Sequence, residues 1–341
     1  MRIHHASALL TALLLAAACS ERAPAGPMIY CSLDEQFSRP VIEQFGKELG
    51  LDIQARYDTE AAKTVGLVNA IVDERSNPRA SVFWNNELAH TVFLAQQGLL
   101  VPYRSPSAEA VPAQFRDPQD RWTGFAARAR VLVVNTNLLP NQKDWPTSYK
   151  DLADPKWKGR CAVARPLTGT TLTHFTALKK ALGETEFEAF FAAMLQNDVK
   201  FLQSNGATLR ETAAGNVAWA FTDTDDYHVG KLRGQPIACV FPDQKDGELG
   251  TMLIPNSVGI VKGGPDLEGA KKLVDKILAM STEALLAAAE GAQIPLREGV
   301  DGPSDPAILP IGRFRAMAWD VEWTAQNLAA SNQDFGKRFG L

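Results

Sequence analysis

The feature that most constrains this chain is a unit it repeats: a short apolar run, a polar turn, then apolar residues at helical spacing. Met28 to Cys31 leads into Phe37, Val41, Ile42, Phe45 and Leu49. Leu51 to Tyr57 leads into Val65, Val68, Ile71 and Val72, and Ala80 to Trp84 into a helix ending at Gly98. Apolar runs that alternate with amphipathic helices in this way form a mostly parallel sheet covered by helices. Ligands of such sheets sit beyond the carboxyl ends of the strands, beside helix N-termini. Functional residues are therefore expected in the turn after each strand.

The pattern resumes with Val131 to Asn135, Cys161 to Arg165 before a helix from Gly169, Val199 to Gln203 before a helix from Ala207, and Val217 to Phe221. These runs predict a second lobe, since a 341-residue chain exceeds what one core holds. The stretches Ala126 to Asn135 and Pro236 to Phe241 are expected to carry the chain between lobes and back, and Leu249 to Val261 to rejoin the first. On this division residues 28–126 and 242–303 form lobe 1, and residues 127–241 form lobe 2. Residues 304–341 form C-terminal helices packing on the lobes, two of them after Pro306. The expected fold is α/β, with two lobes joined by crossing hinge strands.

Residues 1–18 carry Arg2, His4 and His5, then the apolar run Ala8 to Ala18. A charged start, a short apolar run and small residues mark a secretory signal, and the run falls short of the roughly 20 residues that span a bilayer. Leu15-Ala16-Ala17-Ala18-Cys19 resembles a lipobox, which would make Cys19 the lipidated N-terminus; cleavage nearby at an ordinary A-x-A site is the alternative. Residues 19–27 read as a flexible tether. A net charge of −4 with interspersed signs gives no basic stripe and argues against nucleic acid as partner. Cys31, Cys161 and Cys239 are expected as buried small side chains, a Cys161–Cys239 bridge being the alternative.

Four turns carry candidate chemistry. Thr59 would cap the second helix and place Lys63 one turn in, either beside a bound anion or simply solvated. Trp84-Asn85-Asn86-Glu87 gathers an indole, two amides and a carboxylate at one strand end, although a carboxylate in a first helical turn is favoured by the dipole in any case. Thr168-Gly169-Thr170-Thr171 opens a helix with three hydroxyls and a glycine, a ready anion site, and Ser204-Asn205-Gly206 is a weaker case of the same kind. Thr222-Asp223-Thr224-Asp225-Asp226-Tyr227 crowds carboxylates that need a cation, hydroxyls or helix N–H groups; ferric iron, calcium or an ammonium would answer, as would a plain acidic cap. Arg128 and Arg130 would either clamp a carboxylate or phosphate or pair with those aspartates. No G-x-S-x-G, H-E-x-x-H, P-loop or G-x-G-x-x-G motif occurs.

Over nearly the whole mature chain the sequence resembles the periplasmic substrate-binding proteins of ABC importers, in the ferric-iron-binding branch. Tyr30-Cys31-Ser32-Leu33-Asp34, Tyr57 to Lys63, Val82 to Glu87, Trp122 to Phe125, Thr168 to Thr171, Thr222 to Asp226 and Leu253 to Val258 carry the resemblance. It implies a type II two-lobed periplasmic-binding-protein fold that closes on its ligand and docks on an inner-membrane permease. It also implies no enzymatic activity and no catalytic cofactor. The expected protein is a monomer, exported and held at the membrane by its lipid anchor.

Ferric relatives use an early histidine, a glutamate after the third strand and two adjacent tyrosines. Glu87 matches the glutamate and Tyr227 one tyrosine, with Asp226 beside them as a third metal ligand. Gln36 stands at the histidine position, and Asp225 and Asp226 where the other tyrosine belongs. Fe3+, with or without a small anion, is thus the expected transported ligand. A phosphorylated or carboxylated organic anion is the alternative, which the Thr168 to Thr171 turn with Lys63, Arg128 and Arg130 would suit. The ligand-binding residues expected in the cleft are Asp34, Thr59, Lys63, Trp84, Asn85, Asn86, Arg128, Arg130, Thr168, Gly169, Thr170, Thr171, Asn205, Asp223, Thr224 and Asp225. A metal-dependent hydrolase built on Asp223, Asp225 and Asp226 is the remaining reading.

Overall fold

The computed structural model describes residues 26–58 and 64–341. Strands β1 (Met28–Cys31), β2 (Gln54–Tyr57) and β3 (Val82–Asn85) pair in parallel in the order β2-β1-β3. Helices α1 (Glu35–Leu49), α2 (Val65–Asp73) and α3 (Ala89–Gln96) follow them in turn. Helix α1 buries Val41, Ile42 and Phe45 on one face and stops at Gly50, whose left-handed backbone (φ 63°) closes the last turn. A second parallel set, β7-β6-β8, comprises β6 (Cys161–Ala164), β7 (Lys200–Leu202) and β8 (Trp219–Asp223). Its helices are α4 (Gly169–Leu182), α5 (Glu184–Gln196), α6 (Asn205–Ala213) and α7 (Thr224–Leu232).

Two long buried strands join the sets, β5 (Thr123–Asn135) and β10 (Leu253–Val261), with β4 (Leu100–Val101) and β9 (Ile237–Val240) as short partners. The full order is β2-β1-β3-β10-β5-β8-β6-β7. Residues 123–129 of β5 pair with β10, whereas residues 130–135 pair with β8 and β9. The strand bends between these two roles at Ala126 (φ 32°), opposite a register shift at Pro255/Asn256. Buried polar groups hold the bend. The Asn256 amide donates to the Ala126 carbonyl and, at 2.7 Å, to Gln293, while the Ala126 N–H donates to Glu283 at 2.8 Å. Glu283 in turn pairs with Arg297 at 2.7 Å.

Helices α8 (Leu267–Ile277) and α9 (Met280–Ala288) cover the first half. Helix α10 (Val321–Arg338) lies on both α3 and α4, and its Phe335 stacks on Phe191 of α5 with centroids 5.8 Å apart. Among the described residues, no helix is long and apolar enough to cross a membrane.

Three details depart from the sequence reading. The strand that returns beside β5 is β10, because Pro242, Gly247 and Gly250 break the chain after a four-residue β9 that pairs only with the second half. One helix, α10, follows Pro306 rather than two; Pro310 and Gly312 (φ 86°) keep the residues before it irregular. The tether ends earlier than expected, since Pro27 is buried and a Cβ on Gly26 would collide with the Asp52 carbonyl. Cys31 and Cys161 are buried and Cys239 half-buried, and all three are free. Residues 1–25, with Cys19, and residues 59–63, with Thr59 and Lys63, lie outside the described residues.

Candidate functional site

The carboxyl ends of β6, β7 and β8 face those of β1 and β3 across a cavity of about 280 Å³. On one side it is lined by Asp34, Gln36 and Phe37 at the start of α1 and by Asn86 after β3. On the other side are the turns opening α4 and α6 together with Asp223, Asp225 and Asp226, and Arg128 contributes from β5. The second side is built around one carboxylate. Asp223, 1% exposed, caps the end of β8 and accepts hydrogen bonds from Arg130 at 2.7 Å, Thr170 at 2.7 Å and Asn205 at 2.9 Å. These bonds bring the first turns of α4 and α6 together on the end of β8. Burial pushes the Asp223 carboxyl up, but Arg130 and Arg128 outweigh it and hold the group below its usual range.

Arg128 spans the two halves. Its guanidinium donates to the Asn86 carbonyl, to Asp225 at 3.4 Å, and stands 3.7 Å from Asp223. Burial works against its charge, yet Asp225 and Asp223 more than compensate and raise its pKa. Its Nε is buried with no acceptor among the described residues.

The turn opening α4 has the chemistry of an anion site. Thr168 occupies the N-cap position without making a capping bond, and the first amides of any helix lack intrahelical acceptors. Gly169 adopts a left-handed backbone (φ 56°) with open space where a side chain would begin. At α6, Ser204 caps the Ala207 amide at 3.1 Å, and Asn205 and Gly206 face the cavity. Exposed Arg210 and Arg233 reach the same rim, and neither forms an ion pair with a described residue.

The cavity thus gathers Asp34, Asn86, Arg128, Thr168, Gly169, Thr170, Thr171, Asn205, Asp223, Asp225 and Asp226 from the expected set. Six expected residues lie elsewhere. Trp84 is fully buried, its indole against Phe125 and its N–H 3.4 Å from Asn256. The Asn85 amide turns inward to Glu87 at 2.8 Å, and Thr224 uses its hydroxyl to accept from the Ala129 N–H at 3.2 Å. Arg130 stands behind the lining, its guanidinium over the Phe221 ring at 4.8 Å.

The proposed metal pair does not reach the cavity. Glu87 is 0% exposed and accepts from the amides of Ala89 and His90 at 2.7 and 2.9 Å, as a helix-capping carboxylate does. Burial pushes Glu87 up, but His90 and these bonds keep it below its usual range. Tyr227 points to the other face of α7, among Leu209, Ile237 and Phe241, where burial and Asp305 push the phenol up. Asp223, Asp225 and Asp226 do bring carboxylate oxygens within 4.8 Å of one another. Thr222 donates to Asp226 at 2.5 Å, so arginines and hydroxyls already answer part of that charge.

Phe37, expected only on the apolar face of α1, and Arg165, Gln203, Arg210 and Arg233 line the cavity without having been expected as site residues. Arg165 follows the β6 strand directly, a position that could have flagged it. Arg210 and Arg233 sit deep in α6 and just past α7, where no local signal exists.

The sequence profile of the family described as "Bacterial extracellular solute-binding protein" matches residues 90–321. Iron uptake protein A1 of Synechocystis is 26% identical over 316 residues, 89% of this chain and 84% of that protein. The structure is similar to iron-bound HitA of Pseudomonas aeruginosa (TM-score 0.80, 22% identity, 92% of this chain and 100% of that one). It is also similar to AfuA of Actinobacillus pleuropneumoniae with fructose 6-phosphate bound (TM-score 0.79, 22% identity, 93% and 99%). At that identity the two structures establish a shared two-lobed fold. The chain belongs to the bacterial extracellular solute-binding protein family, as a periplasmic binding protein of the ABC-transporter kind and not an enzyme.

Proposed function

We propose that this protein captures a small organic anion carrying a phosphate or phosphonate group and delivers it to an ABC permease. The observation that carries this reading is the α4 N-terminus, uncapped by Thr168 and open at Gly169, facing the cavity beside the α6 turn, the buried Nε of Arg128 and the rim arginines Arg210 and Arg233. A tetrahedral oxyanion matches such a cradle of backbone N–H groups and guanidinium donors. Neither a tyrosine nor a histidine is among the described residues lining the cavity, which weighs against iron held by phenolate. The Asp223, Asp225 and Asp226 cluster supports a second reading, a ferric ion taken together with a bound anion.

Calorimetric titration of purified protein with fructose 6-phosphate, 2-aminoethylphosphonate, phosphate, and ferric ion with and without citrate separates the two. Stoichiometric binding of a phosphoryl compound without metal is expected. Tight ferric binding with no affinity for any phosphoryl compound would overturn the first reading in favour of the second.

We also propose a working location from residues 1–19, read as an export signal that ends at a lipidated cysteine. Export with lipidation at Cys19 would keep this monomer beside its permease, with lobes divided at residues 126 and 241. Mass spectrometry of the mature N-terminus tests this, and a diacylglyceryl adduct lost on Cys19→Ser is the expected result.

A further inference from the structure

The Glu87 carboxylate is sealed from the cavity, yet it receives more bonds than a helix cap needs. Two come from its own turn, the amides of Ala89 and His90, and the His90 ring adds a contact at 2.8 Å. Another comes from Asn85 at 2.8 Å, whose own carbonyl accepts from Ser32 at 2.7 Å. The neighbouring Asn86, part of the cavity wall, is held by Ser32 and by Thr64 at 2.8 Å. The last bond crosses to the other half of the molecule: Thr173 of α4 donates to Glu87 Oε2 at 2.9 Å. Thr173 is 0% exposed, does not line the cavity, and sits one turn behind Gly169 on the same side of α4. Ser257 of β10 fixes the Glu87 backbone through its carbonyl at 2.7 Å.

We propose that Glu87 is a positioning residue of the cleft: through Thr173 it sets the first turn of α4 against the wall formed by Asn86 and Arg128. Bonds to an ionised acceptor are short and strong, and in a dry interior they fix separation closely. Among the described side chains lining the cavity, Arg128 makes a comparable direct link between the two walls through its bond to the Asn86 carbonyl. The proposal rests on the reading of the α4 N-terminus as the anion-binding end, but one arm of its test does not.

Thr173→Val removes the hydroxyl and keeps the shape, whereas Thr173→Ser keeps the hydroxyl. Spin labels on Lys47→Cys in α1 and Lys231→Cys in α7, in a Cys239→Ser background, report the separation of the halves in the unliganded protein. The expected result is a shifted or broadened distance distribution for Thr173→Val, restored by Thr173→Ser, with fructose 6-phosphate binding weakened about tenfold in the first and not the second. A Thr173→Val protein that is merely less stable, with the wild-type distance distribution and wild-type affinity, overturns the proposal. Should the wild type bind no fructose 6-phosphate, the anion reading suffers, and the distance distribution still decides the role of Glu87.

Discussion

Arg130, 0% exposed, lies 2.7 Å from Asp223 while its guanidinium carbon stands 4.8 Å from the centroid of the Phe221 ring. A pair sealed this completely gains its Coulomb energy at short range but tolerates no loss of one member, because the survivor stays buried and uncompensated.

Asp223→Ala is therefore expected to destabilise the fold by about 3–5 kcal/mol, the range for breaking a buried pair. Urea denaturation checks it, with removal of the exposed Lys150–Glu186 pair as a control expected to cost less than about 1 kcal/mol. A loss for Asp223→Ala as small as the control would show that Thr170 and Asn205, not the carboxylate, hold the α4 and α6 turns together.

Gly169→Ala separates backbone conformation from contact, since a Cβ there meets nothing within 4 Å while the φ of 56° disfavours any side chain. A stability loss of about 1–2 kcal/mol is expected. Affinity for a phosphoryl ligand should fall further than stability does, because the relaxed turn withdraws its amides from the cavity. Calorimetry of the variant and the wild type compares the two effects.

Arg210→Gln and Arg233→Gln should leave stability within about 0.5 kcal/mol, as exposed substitutions do. Their effect is expected in the association rate, which should drop and lose part of its dependence on salt. Stopped-flow binding at two ionic strengths measures it, and an unchanged salt slope would remove these arginines from ligand capture.

Burial pushes the Asp243 carboxyl from an ordinary 3.8 up to about 6, against bonds from Ser148 and the Tyr149 amide that favour its charge. Its folded value lies above its unfolded one, so the stability it contributes is complete below pH 3.8 and is lost as pH rises through about 6. A shift of this size corresponds to up to about 3 kcal/mol. The stability difference between wild type and Asp243→Asn isolates the effect, and it should move in favour of the wild type as pH falls from 7 to 4.

The order of strands and helices was readable because each apolar run is followed by a helix with one apolar face, as Val41, Ile42 and Phe45 show in α1. The threonine turn at α4 was readable as part of the cavity lining for a similar reason, since it follows strand β6 directly and opens a helix. The direction in which a side chain leaves a helix start was not. Glu87 and Tyr227 have the residue types of metal ligands, but Glu87 satisfies the amides of its own turn and Tyr227 falls on the face of α7 that packs against Leu209 and Ile237. Arg210 and Arg233 reach the rim only because α6 and α7 are anchored on the end of β8, a tertiary fact with no local trace.

Strand β5 gives its first residues to one half of the sheet and its last residues to the other, so neither half owns a complete set of neighbours. Unravelling one half strips hydrogen-bonding partners from the other. The molecule should therefore melt as one cooperative unit, with calorimetric and van't Hoff enthalpies in agreement, and neither half should survive excision as an independent folding piece.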